Sequence, residues 1–440
     1  MTRSETPFTR SAAAPTRSAA APTRSAAAPT RSAAAPSALA TASFLAFGAL
    51  LVLYGANSTE LIAALSLEYK DLGLVGSMLS LGLGIGIVAA GPIVDRWPRR
   101  PLFAVACTVV MLASTTLGAG TTFPALLVHT VAIGVGAGFY ETVLNTIVVE
   151  EFEEQAPRRL VFIHSGATLA ASVTPLLFDG LRGVVDLAWY DTFRLVGLVH
   201  VTLIAAVAFV PLRAPRSRTR GTSVADGQDA GDDGRGEERP RNTASQSDDP
   251  AARRDDGLAL AAICATTFAY VGVEAALTIF VAEHAASDLG LDAGRAARTI
   301  SAFWAGLLAG RLVIGLSPRA PGAGTTALLA AVAATAVLAF GLGWIRTPEI
   351  AMATSGFFLG GVFPVMIGLA GMAMPSSAGT AVGLAGGLGS LGGFVVPWFT
   401  GHIAGRVGLS IAIASLAGWL GLLVAAAAVA RLRQGPGAPR

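Results

Sequence analysis

Glu141 and Asn145 are the residues of this sequence best placed to do chemistry. They lie in Gly134-Val-Gly-Ala-Gly-Phe-Tyr-Glu141-Thr-Val-Leu-Asn145, inside a run that is otherwise small and apolar. Four residues apart, the carboxyl and the amide share one face if the segment is helical. A carboxyl group in a low-dielectric setting suits reversible protonation, so Glu141 is a candidate proton site. The alternative is a structural glutamate that joins two helices by a hydrogen bond. The three glycines would let a neighbouring helix, or a ligand, approach closely.

Five further polar positions interrupt apolar runs. Asn57 and Glu60 stand in Tyr54-Gly-Ala-Asn57-Ser-Thr-Glu60, and Glu274 stands in Tyr270-Val-Gly-Val-Glu274. Glu60 could line a cavity or be a shallow, solvated acid, and Glu274 could line the cavity or only pair with a cation. Charged residues in membrane spans are costly and tend to be functional. His164, in Phe162-Ile-His164-Ser165-Gly166, can titrate near neutral pH or act as a hydrogen-bonding spacer. Arg311 could bind an anionic group, although snorkelling of its head to the cytoplasm is the safer expectation.

These residues need elements to hold them, and the elements are legible as apolar runs of roughly 20 residues, enough to cross a bilayer as helix. We place them at 38–65, 72–94, 101–120, 123–149, 160–180, 193–212, 258–282, 299–317, 325–345, 350–373, 378–402 and 408–430. The expectation is an all-α membrane protein of twelve transmembrane helices in two six-helix bundles, 38–212 and 258–430. Of the 440 residues, 53% are hydrophobic and 13% charged. Mean hydropathy is +0.62, well outside the range of a soluble domain. The 52 glycines suit helix packing in lipid. Cys107 and Cys264 both fall in apolar runs and suggest neither a disulfide framework nor a metal site. No phosphate loop, metal-ligand cluster or nucleophile elbow is visible, so an enzyme is not expected. The net charge of +3 is no nucleic-acid signal, because the cations gather in loops. The first apolar run begins near Ala38, too late for a cleavable signal peptide.

The loop Gly91-Pro92-Ile93-Val94-Asp95-Arg96-Trp97-Pro98-Arg99-Arg100 separates two apolar runs and is dense in charge. By the positive-inside rule it faces the cytoplasm, and an even number of spans then puts both termini there too. Most of the 31 Lys and Arg residues fall on that side. Gly91 would allow a close helix approach. Asp95 could sit on the positive end of the eleventh helix, near Gly379, as a cytoplasmic gate. Arg96, Arg99 and Arg100 would pair with acids such as Glu150, Glu151 or Glu153.

Residues 9–36 are four copies of Thr-Arg-Ser-Ala-Ala-Ala-Pro. With a proline in every copy they read as part of a disordered basic tail, 1–37. Residues 213–257 are rich in Arg, Asp, Gly and Ser and read as a disordered cytoplasmic linker. Residues 431–440 form a short cytoplasmic tail. The two halves match weakly at a nearly constant offset, pairing Gly86 with Gly306, Pro98 with Pro318, Arg99 with Arg319, Gly134 with Gly356 and Pro175 with Pro397. That argues for a parallel repeat.

The pattern Gly91-x-x-x-Asp95-Arg96-x-x-Arg99-Arg100 resembles the signature loop between helices 2 and 3 of the major facilitator superfamily. Further segments are similar to its fucose/proton-symporter-like (sugar permease) branch. These are Gly138-Phe-Tyr-Glu141-Thr-Val-Leu-Asn145, Arg158-Arg159-Leu-Val-Phe-Ile-His164, Tyr270-Val-Gly-Val-Glu274, Gly306-Leu-Leu-Ala-Gly310-Arg311, Gly356-Phe-Phe-Leu-Gly-Gly-Val-Phe-Pro364 and Gly386-Gly-Leu-Gly389 through Pro397. In that branch an acid of the first helix binds sugar and an acid of the fourth carries the proton, which implies those roles for Glu60 and Glu141. A glutamate in the first helix departs from the branch's aspartate, and five tyrosines are few for a sugar site.

The expectation is a proton-coupled secondary transporter of the inner or plasma membrane, working by alternating access. It needs no cofactor beyond the proton as coupling ion. Its partners would be a small-molecule substrate and the lipid bilayer, not nucleic acid, and it would act as a monomer. A proton-driven drug or metabolite exporter and a non-transporting sensor or scaffold are the rivals.

Overall fold

The computed structural model describes residues 31–94, 96–152, 156–212, 250–317, 322–345, 347–374 and 378–433. It is helical, with no strand among the described residues. In chain order the helices are α1 (Arg31–Ala56), α2 (Ser58–Leu65), α3 (Tyr69–Val94), α4 (Arg99–Thr115), α5 (Phe123–Phe152), α6 (Ala156–Arg182) and α7 (Trp189–Phe209). Then come α8 (Pro250–Ser287), α9 (Ala293–Leu316), α10 (Ala323–Gly341), α11 (Pro348–Leu359), α12 (Val362–Ala373), α13 (Ala378–Val407) and α14 (Leu409–Arg433). Eleven spans are long and apolar enough to cross a membrane among the described residues. The twelfth expected span, α4, is 17 residues long. The protein is a multi-pass membrane protein with twelve spans.

Fourteen helices make twelve spans because two spans are broken. The first splits at Asn57, where α2 follows α1 after a single residue. The tenth splits at Gly360–Gly361, between α11 and α12. Within each half, short connections make successive spans antiparallel, so the loops alternate between two faces. We call the face that carries Arg96 and Trp97 the basic face. The fourth Thr-Arg-Ser-Ala-Ala-Ala-Pro copy contributes to α1 from Arg31, where three alanines favour helix. The expected linker likewise ends early, because α8 already begins at Pro250. Residues 1–30, 213–249 and 434–440 lie outside the described residues.

Glycine sets how closely the helices approach. On α3, a Cβ at Gly82 would strike the Val131 carbonyl, and one at Gly134 of α5 would strike the Leu79 carbonyl. The second half repeats this with Gly306 of α9 against Ala353 and Gly356 of α11 against Phe303. The expected repeat therefore holds for these two helix pairs. Its register differs by one turn, since Gly82 rather than Gly86 has the packing environment of Gly306.

The two halves meet along α3 and α13, α6 and α9, and α1 and α8. Contact is tight toward the face opposite the basic one. There Gly55 packs on the Thr278 backbone and Gly73 on Pro397 and Gly401. Ser77 Oγ donates to the Phe394 carbonyl at 2.6 Å. Thr59 Oγ1 donates to Glu283 Oε2 at 2.6 Å. Toward the basic face α3 and α13 part. A Cβ added at Gly91, Gly383, Gly386 or Gly387 would meet nothing within 4 Å.

Candidate functional site

A connected set of polar side chains crosses from one half to the other in the middle of the bundle. It begins at Glu141 on α5, with Asn145 one turn on and within hydrogen-bonding reach. Asn145 Oδ1 lies 3.1 Å from His164 Nε2 of α6. An amide oxygen only accepts, so this contact assigns the proton to Nε2 of His164 and leaves the Asn145 NH2 free to donate to Glu141. Phe44 of α1 packs on the imidazole with ring centroids 4.2 Å apart. One turn further along α6, Thr168 accepts from Arg311 Nη1 of α9 at 2.7 Å. Arg311 Nη2 donates to the Tyr270 hydroxyl of α8 at 3.3 Å and lies 3.6 Å from Glu274 Oε2. Tyr270 in turn donates to Glu274 in a short hydrogen bond. The side chains of Arg311 and Glu274 are 16% and 17% exposed, so both can be reached by a solute.

The local sequence explains why Arg311 stays inside. Pro364 has no N–H, so the Gly360 carbonyl four residues earlier lacks its helical donor. Arg311 Nε supplies one at 3.3 Å. Gly360 and Gly361 give the space, since a Cβ on either would strike α9 at Leu307 or Ile314. Broken spans with unpaired carbonyls at mid-depth are a recurring way to build a membrane binding site. The snorkelling expected of Arg311 is thus corrected: Thr168, Tyr270, Glu274 and Gly360 hold its head among the helices.

Glu141, Asn145, His164 and Glu274 are brought together as expected for a shared site. Asn57 and Glu60 are not. Sixteen residues separate Glu60 from Phe44, roughly 24 Å along a helix. Glu60 pairs with Arg182 at 3.0 Å, and Asn57 Oδ1 accepts from the same guanidinium at 2.5 Å. Asn57 is 2% exposed and also bonds Thr192 at 3.0 Å, so it lines no open cavity here. This second cluster ties α2, α6 and α7 together on the face opposite the basic one.

On the basic face, Arg99 makes a two-pronged pair with Glu150, both contacts 2.7 Å. Arg100 bonds the Val210 carbonyl at 2.7 and 3.1 Å rather than an acid. Arg96 is exposed. Gly91 faces open space, so the close approach expected there is not made in this conformation. Asp95 and Glu153 lie outside the described residues, as does the Gly379 end of α13 in its side-chain surroundings.

A family model for the Major Facilitator Superfamily matches residues 39–397. The chain belongs to the Major Facilitator Superfamily. Among curated proteins, this facilitator is 28% identical over 186 residues to multidrug resistance protein D of Escherichia coli, covering 38% of this chain and 46% of that one. It is 23% identical over 192 residues to a probable metabolite transport protein of Saccharomyces cerevisiae, covering 39% of this chain and 34% of that one. The match thus spans less than half the length of either curated relative. Among solved structures, a D-xylose-proton symporter superposes with a TM-score of 0.70 at 15% identity, over 91% of this chain and 97% of that one. A bacterial homolog of the human lysosomal transporter Spinster superposes at 0.62 with 18% identity, over 91% of this chain and 95% of that one. At these identities the structures speak for the fold.

Sequence reasoning missed Thr168 and Tyr270 as partners and undervalued Arg311. A signal was present in the spacing of Pro364 and Gly360, which announces a free carbonyl in the tenth span. A separate groove of about 450 Å³ between α8, α13 and α14 is lined by apolar residues such as Leu260, Phe268, Leu384 and Leu422, and does not touch this cluster.

Proposed function

We propose that this facilitator is a proton-coupled secondary transporter of the cytoplasmic membrane, with both termini inside and the central cluster as its site. The observation that carries the reading is the pair of acids in unlike settings. Glu274 has an arginine, whereas Glu141 has no cation partner among the described residues and bonds only an amide. An acid without a counter-ion in a membrane interior is stable when neutral and so favours taking a proton. Glu141 is the proton site, Asn145 and His164 connect it to the solute site, and Glu274 with Arg311 face the solute. Protonation of Glu141 favours one arrangement of the halves and its release the other. With the basic face cytoplasmic, the conformation described above opens inward.

The likeness in fold to a D-xylose-proton symporter agrees with solute uptake driven by protons, and a sugar or related metabolite fits the family resemblance. The relation to a multidrug resistance protein favours a second reading, proton-driven export. The test is proton-coupled current in proteoliposomes across sugars, sugar acids and amphiphilic drugs, comparing wild type with Glu141→Gln. A current with one solute class that disappears in the variant supports the reading. The same current in both contradicts it.

A further inference from the structure

We infer that the solute is a small organic monoanion whose acid group takes the place of Glu274 on Arg311 while Glu274 accepts a proton. This rests on the transporter reading and adds the class of solute to it.

The argument starts from an incomplete ion pair. A guanidinium and a carboxylate prefer a two-pronged contact at 2.7–2.9 Å. Arg99 and Glu150 achieve that in the same molecule. Arg311 and Glu274 do not: their charged atoms stand 3.6 Å apart and Tyr270 occupies the carboxylate oxygen that faces the cation. Neutral groups hold Arg311 on three sides, through Thr168, Tyr270 and Gly360. The arginine is therefore fixed in place, reachable, and without its preferred partner. Such a fork selects a carboxylate or a similar planar anion.

Charge balance then links the anion to a proton. Burying an unpaired charge is costly. With no solute, Glu274 balances Arg311. If an anion arrives while Glu274 stays ionised, the site carries an excess negative charge. If Glu274 takes a proton from water, the anion replaces it and the net charge is unchanged. The ionisable groups around Glu274 are Tyr270 on its own helix, Arg311 on α9, His164 on α6 and, through Asn145, Glu141 on α5. By sequence, α1, α12 and α13 bring no acid or base to this level. A neutral solute would gain little from Arg311, and a cation would be repelled by it.

The test uses the full-length protein in lipid nanodiscs with lactate, benzoate and octanoate as probes and their three amides as neutral counterparts. Affinity is read by thermal stabilisation and proton uptake by an indicator dye in weak buffer. The expected result is that at least one carboxylate binds about tenfold or more tighter than its amide. It should take up about one proton per site by the balance above. Arg311→Gln should lose that preference and Arg311→Lys should keep part of it, with both checked for a native melting transition. Glu274→Gln should bind the anion with no proton uptake. If no carboxylate outcompetes its amide, or Arg311→Gln binds unchanged, or uptake persists in Glu274→Gln, the inference is wrong. A sugar current that depends on Glu141 without anion binding would overturn the inference alone. Anion binding at Arg311 with no flux of any solute would overturn the transporter reading alone.

Discussion

The Gly360 carbonyl accepts a hydrogen bond from Arg311 Nε at 3.3 Å because Pro364 cannot supply the helical one. One backbone defect in α11–α12 thereby fixes the only cation placed among the mid-bundle polar groups described above. Pro364→Ala should restore a donor to Gly360 and compete with Arg311. The expected outcome is a more stable tenth span, by about 1 kcal/mol for the regained hydrogen bond. Solute affinity should fall in the same variant. Melting and binding measured together check this, and a variant improved in both would refute the coupling.

The bonding pattern makes Asn145 a bridge, not a bystander. Asn145→Leu removes the bonds to Glu141 and His164 while keeping volume. It should weaken proton dependence of transport about tenfold or more, in line with losing one or two hydrogen bonds to polar or charged groups. His164→Gln, which keeps a donor toward Asn145, should retain more activity than His164→Leu. Uptake against pH in the three variants is the measurement, and equal loss in both histidine variants would show that the donor is irrelevant.

Much of the fold was legible because lipid imposes a simple rule. Every span must be about twenty apolar residues, and the observed helices α3, α5 and α14 start and stop within about three residues of expectation. The site was harder. Glu141 and Asn145 could be placed on one helix face from spacing alone, and His164 on the span that follows. Arg311 could not, because the choice between snorkelling inward and outward depends on which carbonyls and hydroxyls await it in three dimensions. Glu60 failed for the opposite reason. Its helix position suggested a cavity, but Arg182 from the end of α6 claims it, and nothing in the sequence marks those two as neighbours.

Arg99 is 2% exposed on its side chain and paired at 2.7 Å with Glu150. Removing one partner of such a pair leaves a buried charge and costs about 3–5 kcal/mol. Arg99→Met should therefore destabilise strongly, and adding Glu150→Met should recover part of the loss. A double-mutant cycle on melting in detergent measures it. Additive losses would mean that the pair does not interact.

The glycines that face open space divide stability from function. In this conformation a side chain at Gly91 or Gly387 meets no neighbour. Gly91→Val and Gly387→Val should cost no more than the intrinsic helix penalties, within about 1 kcal/mol. They should nevertheless slow transport, because under the proposed alternating access α3 and α13 close on the basic face in the other state. Gly306→Val, aimed at the Ala353 backbone, should impair folding itself. Normal flux through Gly387→Val would argue against closure there.

On the opposite face, Asp288 sits between α8 and α14. Burial alone would raise its carboxyl, but hydrogen bonds from Ser410 at 2.8 Å and from His284 outweigh that and hold it below the usual carboxylate range. A depressed value contributes stability that is present above the ordinary carboxylate pKa of about 3.9 and is lost as pH falls through the lowered one. Ser410→Ala should thus destabilise near neutral pH, and its effect should shrink toward about pH 3. A penalty that grows on acidification would reverse the sign of this account.

The most direct test of the central claim separates accumulation from exchange in Glu141→Gln. Proteoliposomes loaded with the solute that wild type transports are given either a proton gradient or a solute gradient alone. The account predicts that the variant loses uphill accumulation driven by protons while exchange of solute for solute continues. Accumulation at the wild-type level in Glu141→Gln would contradict it.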